Sequence, residues 1–133
     1  MNRLFVDTGA WFAYFNEADP DHESVAAALL EWEGRLSTSD YVFDELITLL
    51  RHRVDHKTAC LAGEALRSGD VAALLSVQQT DLDEAWRRFT AERDKRYSFT
   101  DCTSFAVMTR LGLDAAAAVD PDFRRAGFRV VPA

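Results

Sequence analysis

The sequence predicts an α/β fold in which helices cover both faces of a short, mainly parallel sheet. Apolar runs of strand length alternate with apolar residues at helical spacing, the pattern left by parallel strands joined through crossover helices. Hydrophobic residues make up 48% of a 133-residue chain, enough for one packed core in a single domain spanning residues 1–133. No Gly/Ser-rich or Pro-rich linker and no internal repeat divides it.

Each element has its own signal. Arg3 to Val6 reads as a short buried strand. Thr8 to Asn16, with Trp11, Phe12, Tyr14 and Phe15, reads as a short helix. Asp19-Pro20-Asp21 opens the next helix, with Val25, Leu29, Leu30 and Trp32 as its apolar face and Gly34 as its stop. Arg35 to Ser37 is a very short strand. Ser39-Asp40 caps a helix that buries Val42, Phe43, Leu46, Ile47, Leu49, Leu50 and Val54. Asp55 to Arg67 is helical, and Val71 to Val77 is a strand-length run. Thr80-Asp81-Leu82-Asp83 opens a helix carrying Ala85, Trp86 and Phe89. Thr100 to Leu111 is the next, with Phe105, Val107, Met108 and Leu111 in the core and Gly112 as its stop. Ala115 to Val119 is a strand ending on Asp120, and a turn of helix at Phe123-Arg124 precedes a last strand, Phe128 to Val131.

Composition excludes several classes. Cys60 and Cys102 form no C-x-x-C pair and no disulfide framework, which fits a reducing cytoplasm. The opening MNRLFVDTGAW is neither a secretory signal nor a membrane span, so no membrane partner is expected. The net charge of −7 disfavours a plain nucleic-acid-binding module, because phosphate contacts need cations. It leaves room for acids clustered around a divalent cation, whose charge inverts the local field.

Most acids, such as Glu23, Glu31, Glu33, Glu64, Asp83, Glu84 and Glu92, fall on polar helix faces. Five do not. Asp7 directly follows the first strand, and Glu45 lies among Val42, Phe43, Leu46 and Ile47. Asp101 sits near the start of an apolar helix; Asp120 follows the AAAAV strand, with Asp122 two residues on. Ligands in parallel sheets bind beyond the carboxyl ends of the strands, so Asp7 and Asp120 converge if their strands are neighbours. Each acid alone also fits a structural role, Asp101 as a helix cap in particular. Together they would repel and raise one another's pKa values, and a hard cation such as Mg²⁺ or Mn²⁺ resolves that repulsion.

The stretches FVDTGAW, SDYVFDEL, YSFTDCTSFAVM and AVDPDFRRAGF, in this order and covering nearly the whole chain, resemble the PIN-domain nucleases, and within them the VapC-like toxins of toxin–antitoxin pairs. The family's three near-constant acids fall on Asp7, Glu45 and Asp101; a fourth, less regular acid falls on Asp120 or Asp122. Thr8, and Ser98 or Thr100, match the small hydroxyl residues lining such sites. The resemblance implies a PIN-like three-layer α/β/α sandwich and metal-dependent hydrolysis of RNA. Asp7, Asp101 and Asp120 are then the expected ligands of Mg²⁺ or Mn²⁺, while Glu45 either joins them or orients the attacking water. Arg93, Lys95 and Arg96, just before the Asp101 motif, either meet RNA or form a solvated helix end. The expected partners are RNA, a VapB-like antitoxin that inserts a basic side chain among the acids, and a second copy in a homodimer.

Other readings fit less well. VDTGA matches the aspartic-protease loop, but that fold is nearly all β and this chain is rich in helical patterns. A phosphatase of the haloacid dehalogenase type needs an acid where Gly9 stands, and a receiver domain needs paired acids before the strand-end Asp. His52 and His56 lie four apart, but Arg53 stands where a zincin has its Glu. Cys102 reads as a small buried residue rather than a nucleophile. A silent PIN-like module whose acidic edge binds a protein is the alternative function; loss of activity would show as a substituted acid, and none is substituted.

Overall fold

The computed structural model describes residues 2–133; Met1, the first residue of the expected domain, lies outside them. The chain begins with β1 (Leu4–Val6), α1 (Thr8–Phe15), α2 (His22–Glu31) and β2 (Leu36–Ser39). Helices α3 (Asp40–Arg53) and α4 (His56–Arg67) follow, then β3 (Ala73–Leu75) and α5 (Gln79–Ala91). The last third holds α6 (Phe99–Leu111), β4 (Ala115–Ala117), α7 (Asp122–Arg125) and β5 (Arg129–Val131). All five strands run parallel, in the order β3-β2-β1-β4-β5, within a three-layer α/β/α sandwich.

The centre of the sheet is β1, whose Leu4, Phe5 and Val6 are fully buried. It pairs with β2 through Leu4 and Leu36 and with β4 through Val6 and Ala117. Polar residues of β2 survive this burial because they are satisfied: the Ser37 and Thr38 hydroxyls donate to the carbonyls of Leu4 and Val6 at 3.1 and 2.9 Å. From β1 the chain progresses outward to β2 and β3, then returns to build β4 and β5 on the other side. That reversal leaves a crevice past the carboxyl ends of β1 and β4, the expected position for a ligand.

Several expected boundaries shift. Helix α2 starts at His22, with Asp21 as its cap, so Pro20 stands before it rather than at its first position. Strand β2 starts one residue and ends two residues later than expected, and β3 keeps only the middle of the Val71–Val77 run because it is an edge strand. Leu30 (68% exposed) and Leu111 (43%) face outward instead of joining the core. Leu30 lies about 100° around the helix from buried Leu29, and Leu111 is the last residue before Gly112, which ends α6 with φ +69°. Helix α6 is buried without interruption from Asp101 to Met108. It packs against α5, α3 and α7, so it lacks the one-sided stripe of a surface helix.

Candidate active site

Asp7 follows β1 and Asp120 follows β4 by three residues, both at the carboxyl ends of neighbouring strands. Asp7 caps α1 directly after β1, and only 3% of it is exposed. Its Oδ1 is buried without a hydrogen-bond partner. Burial pushes its pKa well above the ordinary value, and the charges of Asp101, Asp120 and Glu45 push it further. The Thr8 backbone N–H only partly offsets these effects. Asp7 and three of the other four acids singled out in the sequence therefore come within range of one another although they belong to four separate stretches of chain.

Asp101 is held by the start of α6. Its backbone N–H donates to Ser98 Oγ at 2.9 Å, and its Oδ2 accepts from the Ser98 backbone N–H at 3.0 Å. This capping box makes Asp101 a structural residue and a site residue at once, since Oδ2 is committed to the cap while the carboxylate still faces the other acids. Burial raises its pKa to about 6, with Asp120 and Asp122 adding to the effect and the Ser98 bonds opposing it.

Asp120 and Asp122 divide their roles. Asp120 acts on both Asp7 and Asp101. Its Oδ1 accepts from the Asp122 backbone N–H at 2.9 Å, which folds the loop after β4. Asp122 leans towards Arg125 at 3.8 Å and acts on Asp101 but not on Asp7. Of the two, Asp120 is the more central member of the cluster.

Two small hydroxyls are buried without partners among the described residues, one of them directly after Asp7. Thr8 is buried with its Oγ1 unpartnered, and so is Ser104 Oγ on α6. Ser104 escaped the sequence reading; its signal is the three-residue spacing from Asp101, which places both on one side of the helix. Of the other two candidates, Ser98 caps α6 and the Thr100 carbonyl accepts from Thr103. Arg93, Lys95 and Arg96 lie in the exposed connection between α5 and α6 and make no ion pair among the described residues.

Other titratable groups resolve into structural roles. Asp81, read only as part of a helix start, is a buried acid: it accepts from Arg110 on α6 at 2.8 and 2.9 Å and from the Gln78 backbone at 2.8 Å. The Arg110 bonds hold its carboxyl below the usual range. His52 and His56 do not share a helix, because α3 ends at Arg53 and α4 starts at His56. Cys102 is buried, which pushes its thiol up to about 11.

The donor set fits a hard cation. Every candidate ligand is a carboxylate or hydroxyl oxygen, and buried Asp7 Oδ1 has no other partner. Among the described residues, no three acid, His or Cys side chains converge tightly enough to ligate one ion unaided. Mg²⁺ keeps several waters and takes one or two carboxylates directly, so mutually repelling acids need not close around it.

The PIN-domain family model matches residues 4–129. The chain belongs to the PIN-domain family. It is 36% identical over 125 residues to the 23S rRNA-specific endonuclease VapC20 of Mycobacterium tuberculosis, covering 94% of this chain and 95% of that one. It is 30% identical to ribonuclease VapC26 of the same organism, over 80% of this chain and 78% of the relative. The crystal structure of M. tuberculosis VapC20, described as a Sarcin-Ricin loop cleaving toxin, superposes with a TM-score of 0.89 over 94% and 95% of the two chains. A DNA-bound VapBC from Salmonella typhimurium shares the fold at 15% identity, with a TM-score of 0.73 over 98% and 97%. This PIN-like sandwich is the architecture expected from the sequence. No helix among the described residues is long and apolar enough to cross a membrane.

Proposed function

We propose that this chain is a divalent-metal-dependent endoribonuclease that arrests growth and is neutralised by a VapB-like antitoxin in the cytoplasm. The observation that carries the reading is the state of Asp7, a buried carboxylate whose Oδ1 has no partner among the described residues and which is pressed upon by Asp101, Asp120 and Glu45. A fold has no reason to keep four mutually repelling acids in one crevice unless a cation offsets them. Kinship with VapC20 and VapC26, both named as nucleases of RNA, supports the same activity.

Asp7, Asp101 and Asp120 hold Mg²⁺ or Mn²⁺, and Glu45 either joins them or orients the attacking water. A metal held by these carboxylates would supply a water acidic enough to attack near neutral pH and positive charge for the phosphate. The capping box keeps Asp101 aimed into the crevice, and β1 with α1 fixes Asp7. Arg93, Lys95 and Arg96 draw the RNA backbone to a chain that is otherwise acidic. A basic antitoxin side chain placed among the acids silences the site by taking the position of the cation.

Ribosomal RNA is the first substrate to test, because VapC20 is named for it. Induced expression should stop growth, and primer extension on the ribosomal RNA should reveal a new discrete end. Unimpaired growth with intact ribosomal, transfer and messenger RNA would sink the toxin reading.

A further inference from the structure

Trp86 is 59% exposed and Phe89 is 43% exposed, both on α5. Their rings stack on each other at 5.9 Å with 21° between planes. Phe99, the first residue of α6, closes the cluster edge-on at 6.3 and 6.0 Å from the two rings. A large apolar ring left open to water in a chain of this size marks a binding surface. The cluster adjoins the acid crevice through the chain itself, since Ser98 and Asp101, which flank Phe99, are hydrogen-bonded to each other.

The neighbouring connection is cationic. Residues 93 to 96 read Arg-Asp-Lys-Arg. The three basic side chains make no ion pair among the described residues, whereas Arg87 and Arg88 are paired with Glu84 and Glu92. A recess of about 260 Å³ lies between Phe89, Tyr97, the Arg88–Glu92 ion pair and these cations. Exposed aromatic faces beside free cations suit an unpaired nucleic-acid strand, with bases stacking on rings and phosphates meeting cations.

We infer that Trp86, Phe89 and Phe99 form a stacking platform for unpaired bases of the RNA substrate, with Arg93, Lys95 and Arg96 holding the adjoining phosphates. The inference rests on the ribonuclease reading and adds to that site the side chains outside the acid cluster that grip its substrate. The platform grips substrate and transition state alike, so it sets KM and leaves kcat unchanged.

Binding of a labelled, unpaired RNA oligonucleotide and of its duplex is measured by anisotropy in EDTA, and cleavage of the unpaired strand is measured in Mg²⁺. The full chain is compared with Trp86→Ala, Phe89→Ala and Trp86→Phe. The expected result is tighter binding of the unpaired strand and a loss of about 10-fold in Kd and KM for each alanine variant. Trp86→Phe, which keeps an aromatic face, should remain close to wild type. Binding lost in the alanine variants supports the platform even if wild type cleaves nothing, in which case only the nuclease reading falls. Alanine variants that bind and cleave like wild type overturn the platform and leave the nuclease standing. Variants that change sedimentation from dimer to monomer with unchanged RNA affinity also overturn it and assign the patch to a second copy.

Discussion

A methyl group added at Gly9 would stand 2.7 Å from Cγ2 of Val119, the residue before Asp120. Glycine thus lets the first turn of α1 approach the end of β4, and that approach brings Asp7 and Asp120 into one crevice. Valine is stiff about χ1, so part of the relief comes from the backbone that carries Asp120. Gly9→Ala should lower cleavage about 10-fold through displaced ligands, while Val119→Ala in the same background should restore it. Kinetics of the single and double variants check this; equal activity in all of them would remove Gly9 from the site. At this scale the sequence disclosed the acids at strand ends, because a carboxylate after an apolar run stands out against the periodic surface. It did not disclose Gly9, whose constraint comes from a residue far along the chain. Nor did it disclose Asp81, whose partner Arg110 lies 29 residues away.

Helices α5 and α6 form a pair that carries both the site and the aromatic patch. Asp81 near the start of α5 and Arg110 near the end of α6 lock them antiparallel through a bidentate bond, with the Asp81 side chain only 2% exposed. Arg110→Ala leaves the Asp81 carboxylate without its cation and should cost about 1–2 kcal/mol in urea unfolding, since the Arg110 side chain is itself 31% exposed. Cleavage per folded molecule should be retained, because neither residue faces the crevice acids. An unchanged unfolding midpoint would mean that the bond contributes nothing net. Element types were legible from periodicity, and most ends from caps: Ser39, Asp55 and Ser98 each accept a backbone N–H at the start of a helix. The short strands were less legible. Sheet pairing, not local pattern, decides where β3 and β4 end, and no local signal tells Leu30 from Leu29. The outward turn of Trp86 and Phe89 is equally invisible to periodicity, since a ring on an apolar helix face reads as core.

The whole molecule behaves as an acidic body with its strain gathered at one end of the sheet. Asp101 titrates at about 6 in the folded chain against an ordinary 3.8, and Asp7 is displaced in the same direction. The folded state therefore binds protons more tightly than the unfolded state across that window. Stability of the metal-free protein should rise as pH falls from about 7 through 6 towards 4. The depressed acid Asp81 acts in the opposite sense only below its ordinary range. Mg²⁺ or Mn²⁺ requires deprotonated acids, so added metal should raise the melting temperature most at the upper end of the window. Thermal melts in EDTA and in Mg²⁺ between pH 5 and pH 7.5 check both slopes; curves that coincide would leave the acids without a cation. The most direct measurement is cleavage of ribosomal RNA by the folded wild type, Asp7→Asn and Asp101→Asn, each with Mg²⁺, with Mn²⁺ and with EDTA. The acid cluster as a metal-dependent nuclease centre predicts discrete products from the wild type that need a metal, and losses on the order of 100-fold or more in both variants. Cleavage that persists in EDTA, or in folded Asp7→Asn and Asp101→Asn protein, would contradict it.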